Sequence, residues 1–265
     1  MIRLIALDFD YTLIDYQEGL KPRIEPEALA LLNRLCERGV KAGIVTGRAF
    51  DGFAATLADV GGDWRAPFPA YMIASDSFIY QKDAKGDFYA DEAGNAAARA
   101  RIRTGVQALL PHVQPCLKRL EESGVPVKGW SVDSAHGLTV ETDAPESAAR
   151  AIALSEGLFP GGQLSRNYHL FHVTPEGEGK GMTVLRYARS LGYRPEETLC
   201  IGDSLNDLTM LDGRFGFYSG TVANGAPEVR AAVLKSGGIV SERRASLGAA
   251  DCIMQTLERL EQTIA

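Results

Sequence analysis

Near the start of the chain, two carboxylates separated by one residue follow a short apolar run. The run Leu4–Leu7 has the composition of a buried strand, and Asp8 and Asp10 come directly after it in the segment DFDYT. Alternate residues of an extended chain point to the same side, so both carboxylates would face one place. Like charges this close repel, and such pairs are usually kept where a cation or a shared proton offsets the repulsion. On these residues alone, an ordinary Asp-rich turn after an edge strand remains an equal alternative.

Polar residues unsuited to a core follow two other predicted strands, and a lysine begins a predicted helix. They are Thr46, Gly47 and Arg48 after the strand 40–45, Asp203, Asn206 and Asp207 after the strand 198–201, and Lys180 before the helix 181–191. In open parallel sheets, ligands bind outside the carboxyl ends of the strands. A lysine at a helix N-terminus opposes the helix dipole unless an anion binds there, and taken alone Lys180 reads as a solvated loop lysine. Together, these residues predict a phosphate site.

Helices and strands alternate in the first and last parts of the sequence. A helix is predicted from Pro26 to Gly39, since proline favours helix starts and glycine favours helix ends, and a further strand is predicted at 71–74. Apolar strands that alternate with helices indicate a parallel sheet buried on both faces. The predicted fold class is therefore α/β, with a Rossmann-like, mostly parallel sheet core made of residues 1–82 and 173–265.

The segment 83–172 has a different pattern and is predicted to be an inserted α+β cap domain. A helical stretch at 95–122, interrupted by Pro111 and Pro115, precedes strands at 126–132 and 137–142, a helix at 145–156 and two short strands within 162–173. The order αββαββ suits a small sheet with helices on one face.

Composition excludes several classes of protein. The 265 residues are 45% hydrophobic and 23% charged, and the net charge of -6 argues against a nucleic-acid partner, which normally meets a basic face. No stretch is apolar enough to span a bilayer, and the N-terminal run has no signal-peptide cleavage pattern, so no membrane association is expected. The four cysteines form no CxxC pair, which predicts neither a zinc site nor a disulfide framework and favours a reduced, cytoplasmic setting.

The motifs resemble those of one enzyme superfamily. DFDYT, the Thr46-Gly47-Arg48 strand end, Lys180 and GDSLND at 202–207 are similar to the four motifs of the haloacid dehalogenase superfamily. The αββαββ insertion resembles the cap of its Cof-like sugar-phosphatase branch. Two positions depart from that pattern: Tyr11 stands where many relatives carry glycine, and Asp76-Ser77 stands where Cof-like relatives usually carry Asn-Gly.

The resemblance implies a role for each motif residue. Asp8 would be the nucleophile that forms an aspartyl-phosphate, and Asp10 would protonate the leaving oxygen and then remove a proton from water. Asp8, the backbone carbonyl of Asp10 and Asp203 would hold Mg²⁺, which suits a few hard oxygen ligands beside a substrate phosphate.

The remaining motif residues would bind the phosphate or support the site. Thr46, Gly47, Lys180 and Asn206 would bind the phosphoryl oxygens, and Asp207 would orient a metal-bound water or Lys180. Arg48, His136 and Arg166 are the candidates for contact with the rest of the substrate, and the cap is expected to close over the site.

The predicted function is a magnesium-dependent phosphatase that hydrolyses a small phosphorylated metabolite, with a sugar phosphate expected. Two alternatives remain open. One is a phosphomutase acting on sugar phosphates, which would return the phosphate to its product. The other is a catalytically silent regulatory protein that binds a phosphorylated ligand, although such proteins often lose a catalytic carboxylate and Asp8, Asp10 and Asp203 are all present.

Overall fold

The computed structural model describes residues 1–133 and 137–264, which form two compact units. The first unit contains Met1–Asp91, Lys180–Asp203 and the chain from Asp207 onward, and the second contains Glu92–Gly179 with Ser204–Asn206. The strands are β1 (Leu4–Leu7), β2 (Lys41–Val45), β3 (Tyr71–Ala74), β4 (Phe78–Lys82), β5 (Phe88–Ala90), β6 (Val127–Asp133), β7 (Gly137–Thr142), β8 (Gly162–Asn167), β9 (Leu170–Pro175), β10 (Thr198–Gly202), β11 (Tyr218–Thr221) and β12 (Ile239–Val240). The helices are α1 (Pro26–Glu37), α2 (Phe53–Asp59), α3 (Glu92–Glu122), α4 (Pro145–Ser155), α5 (Lys180–Ser190), α6 (Leu208–Leu211), α7 (Pro227–Lys235) and α8 (Ala245–Ile264).

The first unit is built on one sheet with the strand order β12-β11-β10-β1-β2-β3-β4-β5. The pairs from β12 to β3 are parallel, and β4 and β5 are added antiparallel at one edge. β1 lies at the centre and all four of its residues are buried, because it is apolar throughout and covered on both faces. The predicted α/β class with a mostly parallel sheet is confirmed.

Local signals set the helices that flank this sheet. α1 begins at Pro26 and buries Ala28, Leu32 and Leu35, which recur at helical spacing. It is followed by Gly39 at a positive φ of 88°, the left-handed conformation that commonly terminates a helix.

The second unit is built on an antiparallel sheet with the order β6-β7-β9-β8. α3 and α4 pack against it through a buried apolar core that includes Leu109, Val113, Val140 and Phe171. The predicted order αββαββ is confirmed.

The prediction that Pro111 and Pro115 interrupt the first helix of this unit is wrong. α3 continues from Glu92 to Glu122 through both prolines. The two prolines are four residues apart on the exposed face, where a carbonyl that loses its helical partner can bind water. Val113, Cys116 and Leu120 remain buried on the other face and hold the helix to the sheet.

The unit boundaries also differ from the predicted domain boundaries of 82/83 and 172/173. The first unit extends to Asp91 because β5 pairs with β4 and so belongs to the large sheet. The second unit extends to Gly179 because β9 continues to Pro175 in its pairing with β8. Among the described residues, no helix has both the length and the apolar character needed to cross a membrane.

Candidate functional site

Four neighbouring strands end at the residues that carry the candidate site. β10, β1, β2 and β3 are adjacent and parallel, so their carboxyl ends lie at the same edge of the sheet. Asp203 follows β10, Asp8 follows β1, Thr46 follows β2, and Asp76 lies two residues beyond β3. The backbone N–H of Asp8 donates to the Ile201 carbonyl at 2.9 Å, and that of Thr46 donates to the Ile73 carbonyl at 2.9 Å. The hydrogen bonding between the strands therefore continues to Asp8 and Thr46 and sets the position of their backbones.

Lys180 is the cation at the centre of the site. Its side chain is 1% exposed, and Nζ donates to Asp8 Oδ1 at 2.5 Å and to Asp207 Oδ1 at 2.7 Å. Burial alone would lower the pKa of Lys180, but the carboxylates of Asp207 and Asp8 raise it well above its usual value. Lys180 is therefore held charged, although it begins a helix.

Asp207 holds both Lys180 and the backbone of Asp203 in place through hydrogen bonds. Its Oδ1 accepts from Lys180, and its Oδ2 accepts from the backbone N–H of Asp203 at 2.9 Å. The side chain packs against Gly202, where an added Cβ would lie 2.5 Å from the Asp207 carboxyl carbon. Only glycine leaves room for the Asp207 side chain here, which gives a steric reason for the glycine at the start of the GDSLND motif.

Asp8 and Asp203 are both buried, and in the described part of the chain Lys180 is the one side chain that forms a salt bridge with either of them. Burial raises the pKa of Asp8 to about 7, against the opposing effect of Lys180. Burial and the nearby Asp8 raise the pKa of Asp203 well above its usual value, although the Thr12 hydroxyl donates to Asp203 Oδ1 at 2.8 Å.

The donor set fits a divalent cation. Asp8, Asp203 and Asp207 each offer an oxygen, and these atoms lie within 4.8 Å of one another. One lysine stands against these three buried carboxylates, and carboxylate oxygens are the ligands that Mg²⁺ and Ca²⁺ prefer. Because both oxygens of Asp207 already accept hydrogen bonds, Asp8 and Asp203 are the side chains with more capacity for a metal.

Asp10 faces a different set of partners. Arg48 donates to it through two bonds, Nε to Oδ2 at 2.8 Å and Nη2 to Oδ1 at 2.8 Å. The Tyr16 hydroxyl donates to Asp10 Oδ1 at 2.6 Å and accepts from Arg48 Nη2 at 2.9 Å. Although burial alone would raise the pKa of Asp10, hydrogen bonds from Arg48 and Tyr16 lower it overall.

Tyr16 was not identified from the sequence. It lies in the loop after β1, and its ring packs against Tyr11 with centroids 5.0 Å apart. Tyr11 has a positive φ of 62°, which turns the chain back toward Asp10, and Asn224 Nδ2 donates to its carbonyl at 2.6 Å. A tyrosine six residues after an aspartate matches no known sequence motif. The contact between Tyr16 and Asp10 depends on the turn at Tyr11, which is seen in the structure.

The other predicted site residues are placed as follows. Thr46 is buried, and its hydroxyl accepts from the Arg48 backbone N–H at 3.1 Å, with Gly47 between them. Asn206 accepts a hydrogen bond from the Ser204 hydroxyl, and this short segment falls in the second unit. Arg166 lies on β8 of the second unit, and His136 lies outside the described residues. The predicted substrate contacts of Arg48, His136 and Arg166 stay predictions.

A cavity of about 880 Å³ lies elsewhere in the first unit. Its walls come from the loop 20–26, the end of α2 and the start of α8. It contains none of Asp8, Asp10, Lys180 or Asp203, so the chemistry is assigned to the strand ends.

A family model supports the resemblance seen in the motifs. The model of haloacid dehalogenase-like hydrolases matches residues 149–239, which include Lys180 and the segment 202–207. The search of curated proteins gave no match.

Solved structures extend the likeness to nearly the whole chain. The sucrose-phosphatase of Synechocystis sp. PCC6803, solved with sucrose and phosphate, is 18% identical with a TM-score of 0.64, covering 96% of this chain and 98% of that one. A haloacid dehalogenase-like hydrolase from B. subtilis is 18% identical with a TM-score of 0.59, covering 94% and 98%. The IMP-nucleotidase of Plasmodium falciparum is 14% identical with a TM-score of 0.61, covering 89% of this chain and 68% of that one. These similarities confirm the predicted resemblance to haloacid dehalogenase-like hydrolases, and the solved structures show that the chain shares their fold.

Proposed function

We propose that this chain, which has the fold of the haloacid dehalogenase-like hydrolases, is a magnesium-dependent phosphatase acting on a small phosphomonoester. The observation that carries the proposal is the buried Lys180, whose ammonium joins Asp8 to Asp207 beside Asp203 at the carboxyl edge of the sheet. A buried cation next to an excess of carboxylates suits a metal together with a phosphoryl group.

Asp8 is the proposed nucleophile. Its carboxylate oxygen attacks phosphorus, the bond from phosphorus to the ester oxygen breaks, and the leaving oxygen takes a proton from Asp10. Water then attacks the aspartyl-phosphate, Asp10 removes its proton, and inorganic phosphate leaves with Asp8 restored. Lys180 and Thr46, with the backbone of Gly47, bind the phosphoryl oxygens, where charge is redistributed during transfer.

The Asp8 and Asp203 carboxylates and the Asp10 backbone carbonyl would hold Mg²⁺. When bound, the metal supplies positive charge that stabilises the phosphoryl oxygens and keeps Asp8 ionised, which matters because burial raises the pKa of Asp8 to about 7. Asp207 keeps Lys180 in place through its Oδ1. Asn206 is proposed to assist in binding the phosphate.

The proposed substrate is a phosphorylated metabolite, and a sugar phosphate is favoured by the likeness to sucrose-phosphatase. The second unit is proposed as the cap that contacts the leaving part of the substrate, with Arg166 as a candidate. A cytoplasmic location fits the four free thiols.

The test is phosphate release from a panel of phosphorylated metabolites. We expect turnover with Mg²⁺, loss of turnover in chelator, recovery when Mg²⁺ is restored, and poor support by Ca²⁺, whose looser shell would misplace the nucleophile. Mass spectrometry of acid-quenched enzyme should find the phosphoryl group on Asp8. Full activity in metal-free buffer would contradict the metal assignment, and a phosphorylated residue other than Asp8 would contradict the nucleophile.

A further inference from the structure

The turn after β3 holds two consecutive residues in a conformation that side chains disfavour. Ser75 has a φ of 47° and Asp76 a φ of 57°, both in the left-handed region. A residue with a side chain persists in this region where its surroundings impose the conformation. Here the backbone N–H of Ser75 donates to the Arg48 carbonyl at 2.8 Å, and that of Asp76 donates to the Thr46 carbonyl at 3.0 Å. The turn is therefore bound to the segment proposed to hold the phosphate.

The Asp76 carboxylate lies against this segment with one oxygen unsatisfied. A Cβ built on Gly47 would lie 3.7 Å from Asp76 Oδ1 and 3.8 Å from Oδ2, so the carboxylate rests beside the Gly47 backbone. Its charge also acts through space on Lys180. Oδ1 is buried and receives no hydrogen bond from any residue in the described part of the chain. A buried polar atom without a partner is costly, and a ligand that donates a hydrogen bond removes that cost.

The fold itself does not require this charge. Asparagine or glycine adopts the left-handed conformation at least as readily as aspartate, and Oδ1 makes no bond that closes the turn. Asp76 is also absent from the group of carboxylates close enough to share a metal, which consists of Asp8, Asp203 and Asp207. A carboxylate beside a phosphate site repels the phosphate, so its favourable partner is a hydrogen-bond donor on another part of the substrate.

We propose that Asp76 is a specificity residue that accepts a hydrogen bond from a hydroxyl on the leaving alcohol, close to the ester oxygen. The inference rests on the proposed phosphatase function and adds to it a residue of the first unit that selects phosphomonoesters with a hydroxyl near the ester oxygen. Because Gly47 is proposed to bind a phosphoryl oxygen, an Asp76 carboxylate beside Gly47 would select a donor within a few bonds of phosphorus. A residue of the first unit would then contact the part of the leaving group next to the ester oxygen, whereas the second unit is proposed to contact the rest of the leaving group.

Four phosphomonoesters separate the possible outcomes. Ethyl phosphate has no donor, 2-hydroxyethyl phosphate has a hydroxyl, 2-aminoethyl phosphate has an ammonium, and 4-nitrophenyl phosphate serves as an activated reference. A hydrogen bond to a charged acceptor predicts a kcat/KM for 2-hydroxyethyl phosphate roughly 10- to 100-fold above that for ethyl phosphate in the wild type.

Asp76→Asn should reduce this preference, which is the ratio of the two kcat/KM values, by roughly 10-fold, since an amide oxygen is a weaker acceptor than a carboxylate. Asparagine tolerates a positive φ, so the turn is retained, and thermal unfolding checks this. The matched control is Asp87→Asn, which removes the same charge from an exposed position before β5 and should leave every ratio unchanged.

The results distinguish failure of the inference from failure of the function. If the wild type hydrolyses these esters and Asp76→Asn leaves the hydroxyl preference unchanged, the inference is wrong while the phosphatase stands. If the variant loses a preference for 2-aminoethyl phosphate instead, the hydroxyl assignment is overturned in favour of an ammonium. If no ester is hydrolysed, 4-nitrophenyl phosphate included, the proposed function fails and the inference fails with it.

Discussion

Asp8 and Asp10 are two residues apart in the chain, yet their side chains lie in opposite environments. Asp8 is buried and shares its cation, Lys180, with Asp207. The Asp10 side chain is 25% exposed and receives two bonds from Arg48 and one from the Tyr16 hydroxyl. Burial raises the pKa of Asp8 to about 7, whereas the hydrogen bonds to Asp10 lower its pKa against the effect of burial. Two carboxylates with pKa values pushed apart are a common way for one site to separate two roles.

The difference shows what each end of the site lacks. Among the described residues, Lys180 is the one side chain that forms a salt bridge with Asp8, and none forms one with Asp203, so the buried end is the one proposed to bind a metal. Asp10 already accepts three hydrogen bonds, and its donors, Arg48 and Tyr16, lower its pKa, which suits the removal of a proton from water. To protonate a leaving oxygen, Asp10 must first gain a proton, and this requires the loss of at least one of the hydrogen bonds that Arg48 and Tyr16 donate to it.

The largest expected effect is at the buried end. Asp8→Asn keeps an oxygen for Lys180 but removes the proposed nucleophile, so turnover should fall by ~10⁴-fold or more, with no phosphoenzyme. Phosphate release and acid-quenched mass spectrometry measure the two quantities. Near-normal turnover in this variant would move the nucleophile to another residue.

Asp10→Asn should have a smaller and different effect. The backbone carbonyl proposed as a metal ligand is kept, but the acid and base are lost, which costs roughly 10²- to 10⁴-fold. With an activated aryl phosphate the first step needs no acid, so phosphoenzyme should accumulate and hydrolyse slowly. If the Asp10→Asn variant forms phosphoenzyme from no substrate, the two carboxylates do not divide the reaction in this way.

Much of this comparison could be predicted from the sequence, because both carboxylates and Lys180 mark the ends of strongly patterned elements. β1, β3 and α5 lie within one residue of their predicted bounds for the same reason. The antiparallel strands β4 and β5 were assigned to no element, since they are short and partly exposed and have weak alternation.

The residues that were missed depend on turns rather than on patterns. Tyr16 reaches Asp10 only because Tyr11 adopts a positive φ, and Asp76 faces Gly47 only because Ser75 and Asp76 do the same. Ser75 and Asp76 are residue types that are common in turns, but the residue type alone does not specify a positive φ or the residue that the side chain will face. Tyr11 carries no turn signal.

Asp8 and Asp10 should make protein stability depend on pH in opposite directions. In chelator, the pKa of Asp8 is about 7 in the folded protein, compared with the usual value of 3.8 that is expected in the unfolded chain. The folded protein therefore binds more protons between these two pH values, and the free energy of unfolding of the wild type falls as pH rises from 3.8 to about 7. Asp10 behaves in the opposite way, because its lowered pKa gives stability above pH 3.8 that is lost as pH falls through the folded value.

At pH 8 without metal, Asp8→Asn should therefore unfold at a higher temperature than the wild type and Asp10→Asn at a lower one. Each shift should be about 2–4 °C per kcal/mol of changed stability, and the Asp8→Asn difference should vanish near pH 4. Adding Mg²⁺ should stabilise the wild type more than Asp8→Asn, because the metal binds the ionised carboxylate. Shifts of the same sign at pH 8 would show that the two environments are not opposed.

The smallest expected effect concerns the Tyr16 hydroxyl. Tyr16→Phe keeps the ring that packs on Tyr11 and removes one of the three hydrogen bonds that Asp10 accepts. A single hydrogen bond predicts a change in kcat of roughly 2- to 10-fold, with KM nearly unchanged because Asp10 is not proposed to bind the phosphate. If the bond mainly aligns Asp10, alkyl phosphates, which need an acid, should lose more activity than 4-nitrophenyl phosphate.

The matched control is Tyr218→Phe, which removes a hydroxyl from an exposed tyrosine at the start of β11. It should leave kcat unchanged for both kinds of ester. An equal loss for alkyl and aryl phosphates in Tyr16→Phe would mean that the hydroxyl supports the loop in general. A loss confined to the alkyl esters would mean that Tyr16, together with Arg48, sets the position from which Asp10 transfers its proton.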